Sequence, residues 1–205
     1  MLETHTRLRV GRAVDHSEGE AAQRVWRRWR WSLHHTTPPP LVSDGWGGHQ
    51  HALLQVFGVS QPGRRQRAAA SGWHYLQVIK VRDAYRRVVA LRPRLIWGKA
   101  QQAQHPLAPQ TAYVERTHLT TRRMNARLAR RSLSVSKSLS MLWASLYWCD
   151  ALYNLVRPMK SLRQLSPQPD RRWRPRSPAM AAQLTDHLWS VAELLHTLPV
   201  ITNTA

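Results

Sequence analysis

The spacing of apolar and polar positions changes several times along the chain, and each change marks an expected element. Thr4 to Val14 alternates Leu8 and Val10 with Arg7, Arg9 and Arg12, the period-two pattern of a half-buried strand. Ser17 followed three residues later by Glu20 forms a capping-box signature. Ala21, Val25, Trp26, Trp29 and Leu33 then recur at helical spacing, which predicts a helix from Glu18 to His34. Pro38 to Pro40 end it and lead into Leu41-Val42-Ser43, a short strand that stops at Asp44-Gly45. His51 to Phe57 reads as a short helix, and Ser60 to Gly72, with Gly63, Arg64, Arg65 and Arg67, as an exposed basic loop.

Tyr75 to Val81 and Arg87 to Trp97 are rich in β-branched and aromatic residues and resemble a hairpin, although the connection lacks an Asn-Gly or Asp-Gly turn. Gln101 to Gln110 is a polar, Pro-containing loop. From Thr111 the pattern turns helical, first with Leu119 and Leu128 among arginines, then with Leu142, Leu146, Cys149 and Tyr153 as an apolar stripe that Pro158 terminates. Ser166 to Arg176 reads as a basic Pro-rich linker and Thr185 to Leu198 as a last amphipathic helix. No internal repeat is present. The expected organisation is a core over 1–165 followed by a linker and C-terminal helix over 166–205.

Composition narrows the class. The chain has 205 residues, 31 Lys+Arg against 11 Asp+Glu and a formal charge of +20. A content of 42% apolar residues and 10 Trp is enough for a core, which argues against a solvated basic tail. The single cysteine, Cys149, excludes an intramolecular disulfide framework and suits a reducing, cytoplasmic setting. The N-terminus lacks a secretory pattern, and Ser140 to Val156, interrupted by Asp150 and Asn154, is too short to cross a bilayer. A surplus of positive charge on this scale self-repels unless a polyanion neutralises it, which points to nucleic acid rather than to a membrane.

Candidate chemistry centres on Asp44 at a strand end and Glu115 near a helix start. Two carboxylates can hold hard divalent cations if the fold unites them, but by spacing alone a turn aspartate and an exposed helix glutamate are the simpler reading. Three stretches add weight: LVSDGWG at 41–47, TAYVERTHLTTR at 111–122 and YNLVRPMKSL at 153–162. In this order they resemble signatures of bacterial insertion-sequence DDE transposases, closest to the insertion-sequence-one family and its relatives. The resemblance covers Thr4 to Leu162. It implies an α/β, RNase H-like catalytic core, here N-terminally truncated and followed by α-helices, in which three carboxylates hold two Mg2+ ions for DNA cleavage and strand transfer. Asp44 matches the second acid and Glu115 the third, as catalytic and metal-binding residues. The first has no match, because Asp15 follows the expected first strand and Glu3 precedes it. Met159 stands where the family has His. The expectation is a transposase fragment that is catalytically inactive.

Arg116, Arg122, Arg123, Arg127, Arg130 and Arg131 are the expected contacts to double-stranded DNA, both element ends and target, each neutralised phosphate releasing counterions. A solvated helix face is the simpler reading of the same arginines, and the whole-chain charge favours DNA. Trp26, Trp29 and Trp31 alternate with Arg24, Arg27, Arg28 and Arg30; base stacking is conceivable, but helical spacing favours the core for Trp26 and Trp29. The histidines at 34, 35, 49 and 51 lack acidic or cysteine companions at ligand spacing and read as surface residues. Gly47-Gly48 reads as a turn. A non-catalytic basic nucleic-acid-binding protein stands as the alternative function, and a homo-oligomer is compatible with either.

Overall fold

The computed structural model describes residues 1–32, 39–99, 111–129, 133–167 and 169–197. The chain is a mixed α/β protein that divides into two compact units, one of residues 11–115 and one assembled from residues 1–10 and 116–205. None of the described helices is long and apolar enough to cross a membrane.

In the 11–115 unit, α1 (Glu18–Ser32) begins at the expected capping box: Glu20 N–H donates to Ser17 Oγ at 3.2 Å, and the Ser17 hydroxyl donates to the Glu20 carboxylate at 3.0 Å. β1 (Leu41–Asp44), β2 (Tyr75–Arg82) and β3 (Val88–Trp97) form one sheet in the order β1-β2-β3. β1 runs parallel to β2 and pairs Asp44 with Val78; β2 and β3 form the expected antiparallel hairpin. That hairpin turns without glycine. Asp83 Oδ1 accepts from Arg87 N–H at 2.8 Å, and Arg86 takes a left-handed backbone conformation at φ 62°. The crossover from β1 to β2 contains α2 (Gly47–Phe57), one turn longer than its apolar stretch predicts. Gly47-Gly48 is therefore the first turn of a helix rather than a loop turn. A Cβ on Gly48 would lie 2.2 Å from the Trp46 ring, so the indole occupies the space a side chain would take.

The core of this unit is aromatic. Trp26, Trp29, Phe57, Trp73, Trp97 and Tyr75 follow one another with ring centroids 5.1–6.0 Å apart, running from α1 past α2 onto the sheet. Trp26 is buried and Trp29 half-buried, as their helical spacing implied. Gly98 closes the sheet end at φ +83°, where a Cβ would strike the Trp73 carbonyl. Leu33, His34 and Pro38 lie outside the described residues.

The other unit holds α3 (Ala112–Met124) from Arg116 onward, α4 (Leu139–Ala151), a π-helical turn at Leu152–Val156, a small β4–β5 hairpin (Gln164–Leu165 with Trp173–Arg174), α5 (Pro178–Ala181) and α6 (Val191–Thr197). Leu146, Cys149 and Tyr153 are buried along the expected stripe. The π turn brings Arg157 N–H to Leu152 O at 2.9 Å, and the chain leaves the helix at Arg157, extended ahead of Pro158.

Three expectations are corrected here. The strand expected over Thr4 to Val14 does not form. Glu3 accepts from the N–H groups of His5 and Thr6, Arg7 turns left-handed at φ 61°, and only a Leu2–Arg9 bridge remains. Ser166 to Arg176 is not an open linker, because β5 pairs back on β4 and Arg163 stacks on Trp173 at 4.1 Å. The last helix starts at Val191 rather than at Thr185 and is described to Thr197. Within this unit Met159 N–H also donates to Arg176 O at 2.9 Å.

Candidate functional site

Asp44 ends β1 because Gly45 and Trp46 break the ladder there. Its Oδ1 accepts from Trp46 N–H at 3.2 Å, an Asx turn that leads directly into α2. One helical turn on, His49 Nε2 stands 3.5 Å from the same oxygen, and the imidazole packs edge-on against Trp46 with centroids 4.9 Å apart. Burial lowers the His49 pKa, with the Asp44 charge opposing that shift, so the ring is held toward its neutral form. Its buried Nδ1 has no hydrogen-bond partner.

Glu115 sits in the first turn of α3. Its carboxylate accepts from Thr111 Oγ1 at 3.2 Å and from the Lys80 ammonium of β2. Lys80 stands two residues beyond Val78, the register partner of Asp44, and β1 and β2 are parallel. At about 3.3 Å per residue Lys80 therefore lies roughly 7 Å past the carboxyl end of β1. Both acids belong to the 11–115 unit, and β2 relates them: Asp44 through its ladder, Glu115 through Lys80. All three side chains are partly exposed, at 57% for Asp44, 54% for Glu115 and 31% for Lys80.

On the opposite strand face a polar chain, buried at Tyr75 and Gln77, supports the sheet end. Ser43 Oγ and Tyr75 Oη are 2.7 Å apart, Gln77 Nε2 donates to Tyr75 Oη at 3.0 Å, and Arg94 donates to Gln77 Oε1 at 2.6 Å. Burial raises the Tyr75 pKa, and the bonds from Ser43 and Gln77 work against it.

Lys80 was not legible as a site residue, although a signal existed: it follows Leu76 and Val78 on the same alternation, where an apolar residue is due. The candidates for a first acid lie elsewhere. Asp15 pairs with Arg24 at 2.8 Å, and Glu3 caps its own turn. Among the described residues no group of three or more His, Cys, Asp or Glu gathers to hold a metal. Two carboxylates, one of them occupied by an ammonium, do not fit a two-magnesium cluster, which needs several fixed oxygens around each ion.

The expected DNA contacts lie in the other unit. Arg116, Arg122, Arg123 and Arg127 are exposed, whereas Thr117 and Thr121 are buried. Arg116 and Arg123, seven residues apart, fall on one line of α3 and Arg122 lies about 100° around the helix from it, all three turned away from those threonines. Arg127 Nη1 also donates to Met141 O at 3.3 Å. Arg130 and Arg131 lie outside the described residues.

Tyr153 and Asn154 of the third stretch have a visible task. Asn154 Oδ1 accepts from Arg9 N–H at 3.0 Å and its Nδ2 donates to Arg9 O at 3.0 Å, while the Arg9 guanidinium stacks on Tyr153 at 3.7 Å and pairs with Asp150 at 2.9 Å. These residues clamp the N-terminal segment. No family model matches the chain, and no curated protein or solved structure matches it.

Proposed function

We propose that the chain is a DNA-engaging protein of the insertion-sequence transposase type, built on an RNase H-like arrangement and directed at double-stranded DNA. The observation that carries the reading is the relation of Asp44 and Glu115 through β2: the acid at the carboxyl end of β1 is in register with Val78, and the acid in the first turn of α3 pairs with Lys80, two residues further along the same strand. Three sequence stretches in family order, the mixed sheet and the +20 charge support it. The exposed arginine line of α3 supplies phosphate contacts, with Arg116, Arg122 and Arg123 as the first candidates.

The Lys80–Glu115 pair favours a second reading beside the first: a non-catalytic nucleic-acid-binding protein in which the acids organise the sheet end. Both readings require duplex binding. Fluorescence anisotropy with a labelled duplex should give tight, sequence-tolerant association at low salt and a steep loss as salt rises. The triple variant R116A/R122A/R123A should flatten the log–log salt slope by roughly 2 to 3, at about 0.9 per phosphate contact. Absence of duplex binding at low salt would overturn both readings, and an unchanged slope in the triple variant would remove α3 from the interface.

A further inference from the structure

A concavity of about 480 Å³ opens where the end of α1, the end of α2 and the basic loop approach one another, all within the 11–115 unit. Arg27, Arg30 and Trp31 contribute from α1 and Arg67 from the loop; among the described residues no carboxylate lines it. Two of the guanidiniums are fixed by the carbonyls that α2 leaves open at its C-terminus: Arg30 Nη1 donates to Val56 O, and Arg67 Nη1 donates to Gln55 O at 2.6 Å. Arg27 Nη2 donates to Gln23 Oε1 at 3.2 Å, one turn back on its own helix. A guanidinium has five N–H donors, so one bond each to a carbonyl or amide orients these groups without exhausting them.

Capping the end of α2 accounts for Arg30 and Arg67, but not for Arg27 lining the same hollow. Nor does it account for Trp31, which is 89% exposed while Trp26 of the same helix is buried. An indole held in water beside oriented guanidiniums combines the two parts of a single-strand site, a π-face for a base and fork donors for the adjoining phosphate. We propose that this concavity binds single-stranded DNA, with a phosphodiester on Arg27, Arg30 and Arg67 and the neighbouring unpaired base stacked on Trp31. The proposal rests on the DNA reading above and extends it from duplex to unpaired strand.

The test uses the full chain and a fluorescein-labelled oligo(dT) of about 12 nucleotides, within the range that single-strand grooves accommodate. Trp31→Ala should weaken oligo(dT) binding at least about fivefold, as loss of one stacked base does. Trp31→Phe should restore most of it. The double variant R27A/R67A should bind more weakly and with a shallower salt dependence, and all three variants should keep blunt-duplex affinity within about twofold. Because Trp31 and both replaced arginines are exposed, an unchanged thermal melt confirms that each variant folds. Parental oligo(dT) affinity in Trp31→Ala, or equal losses on oligo(dT) and duplex, would overturn the single-strand site. A parent that fails to bind duplex would instead overturn the reading on which it rests, and the oligo(dT) comparison would still decide the pocket.

Discussion

Arg9 illustrates how much one side chain can organise. Its side chain is 2% exposed, bonded to Asp150, stacked on Tyr153 and donating to Thr117 O at 3.2 Å, so the positive charge is removed from water and satisfied on three sides. Removing one partner of such a pair leaves a buried charge uncompensated, which costs about 3–5 kcal/mol. Asp150, at 18% exposure, retains some water and should sit at the lower end. Asp150→Ala is therefore expected to destabilise the chain by about 3 kcal/mol, read as a fall in urea midpoint at unchanged m. The paired change R9M/D150L should recover much of that loss, because neither charge is then buried alone. A parental midpoint in Asp150→Ala would mean that the stack and the Asn154 clamp hold Arg9 by themselves.

At the scale of the element, local rules are obeyed most clearly where they are self-contained. α1 carries Glu18 and Glu20 in its first turn and Arg30 in its last, the arrangement its macrodipole favours, and Ser17 caps it reciprocally with Glu20. Ser17→Ala should cost about 1 kcal/mol. Since α1 packs on α2 and contributes Trp26 to the aromatic core, that loss should appear in global thermal unfolding as well as in helical circular dichroism. An S17A melt indistinguishable from the parent would show that tertiary packing alone fixes the start of α1. β3 shows the opposite balance. It is exposed along most of its length, with Val89 at 61% and Leu91 at 48%, yet Pro93 and the flanking Arg92 and Arg94 blunt it as a pairing edge.

For the whole molecule, charge and chemistry point in different directions. The surplus of twenty positive charges makes polyanion binding the expected behaviour, whereas among the described residues the carboxylates at the sheet end are too few for a two-metal cluster. The chain is expected to show no magnesium-dependent nicking or joining of plasmid DNA above background, with Asp44→Asn and Glu115→Gln equal to the parent in that assay. Magnesium-dependent nicking that either substitution abolishes would restore the catalytic reading. The Lys80–Glu115 pair is an exposed ion pair of about 0–1 kcal/mol, so Glu115→Gln should leave stability nearly unchanged and the comparison is clean.

The sequence by itself determined α1 and its cap, β1 with Asp44 at its end, the β2–β3 hairpin, the start of α3 and the stop at Pro158. Each depends on periodicity, capping or proline geometry within a few residues. Only the tertiary structure decided the rest. The alternation at Leu8, Arg9 and Val10 reads as a strand with Arg9 on its wet side, yet Arg9 is buried, because its partners Asp150, Tyr153 and Asn154 lie some 140 positions away. Lys80 gained its role from Glu115, 35 residues on. The segment after Ser166 folds back rather than linking, because Trp173 finds Arg163 and β5 finds β4. Helical spacing already set Trp26 and Trp29 apart for the core, but the rings that continue from them, Phe57, Trp73, Trp97 and Tyr75, were fixed only by the tertiary structure. Periodicity assigns a side chain to one face of an element; whether that face meets water, a partner charge or a ring is set by contacts distant in sequence.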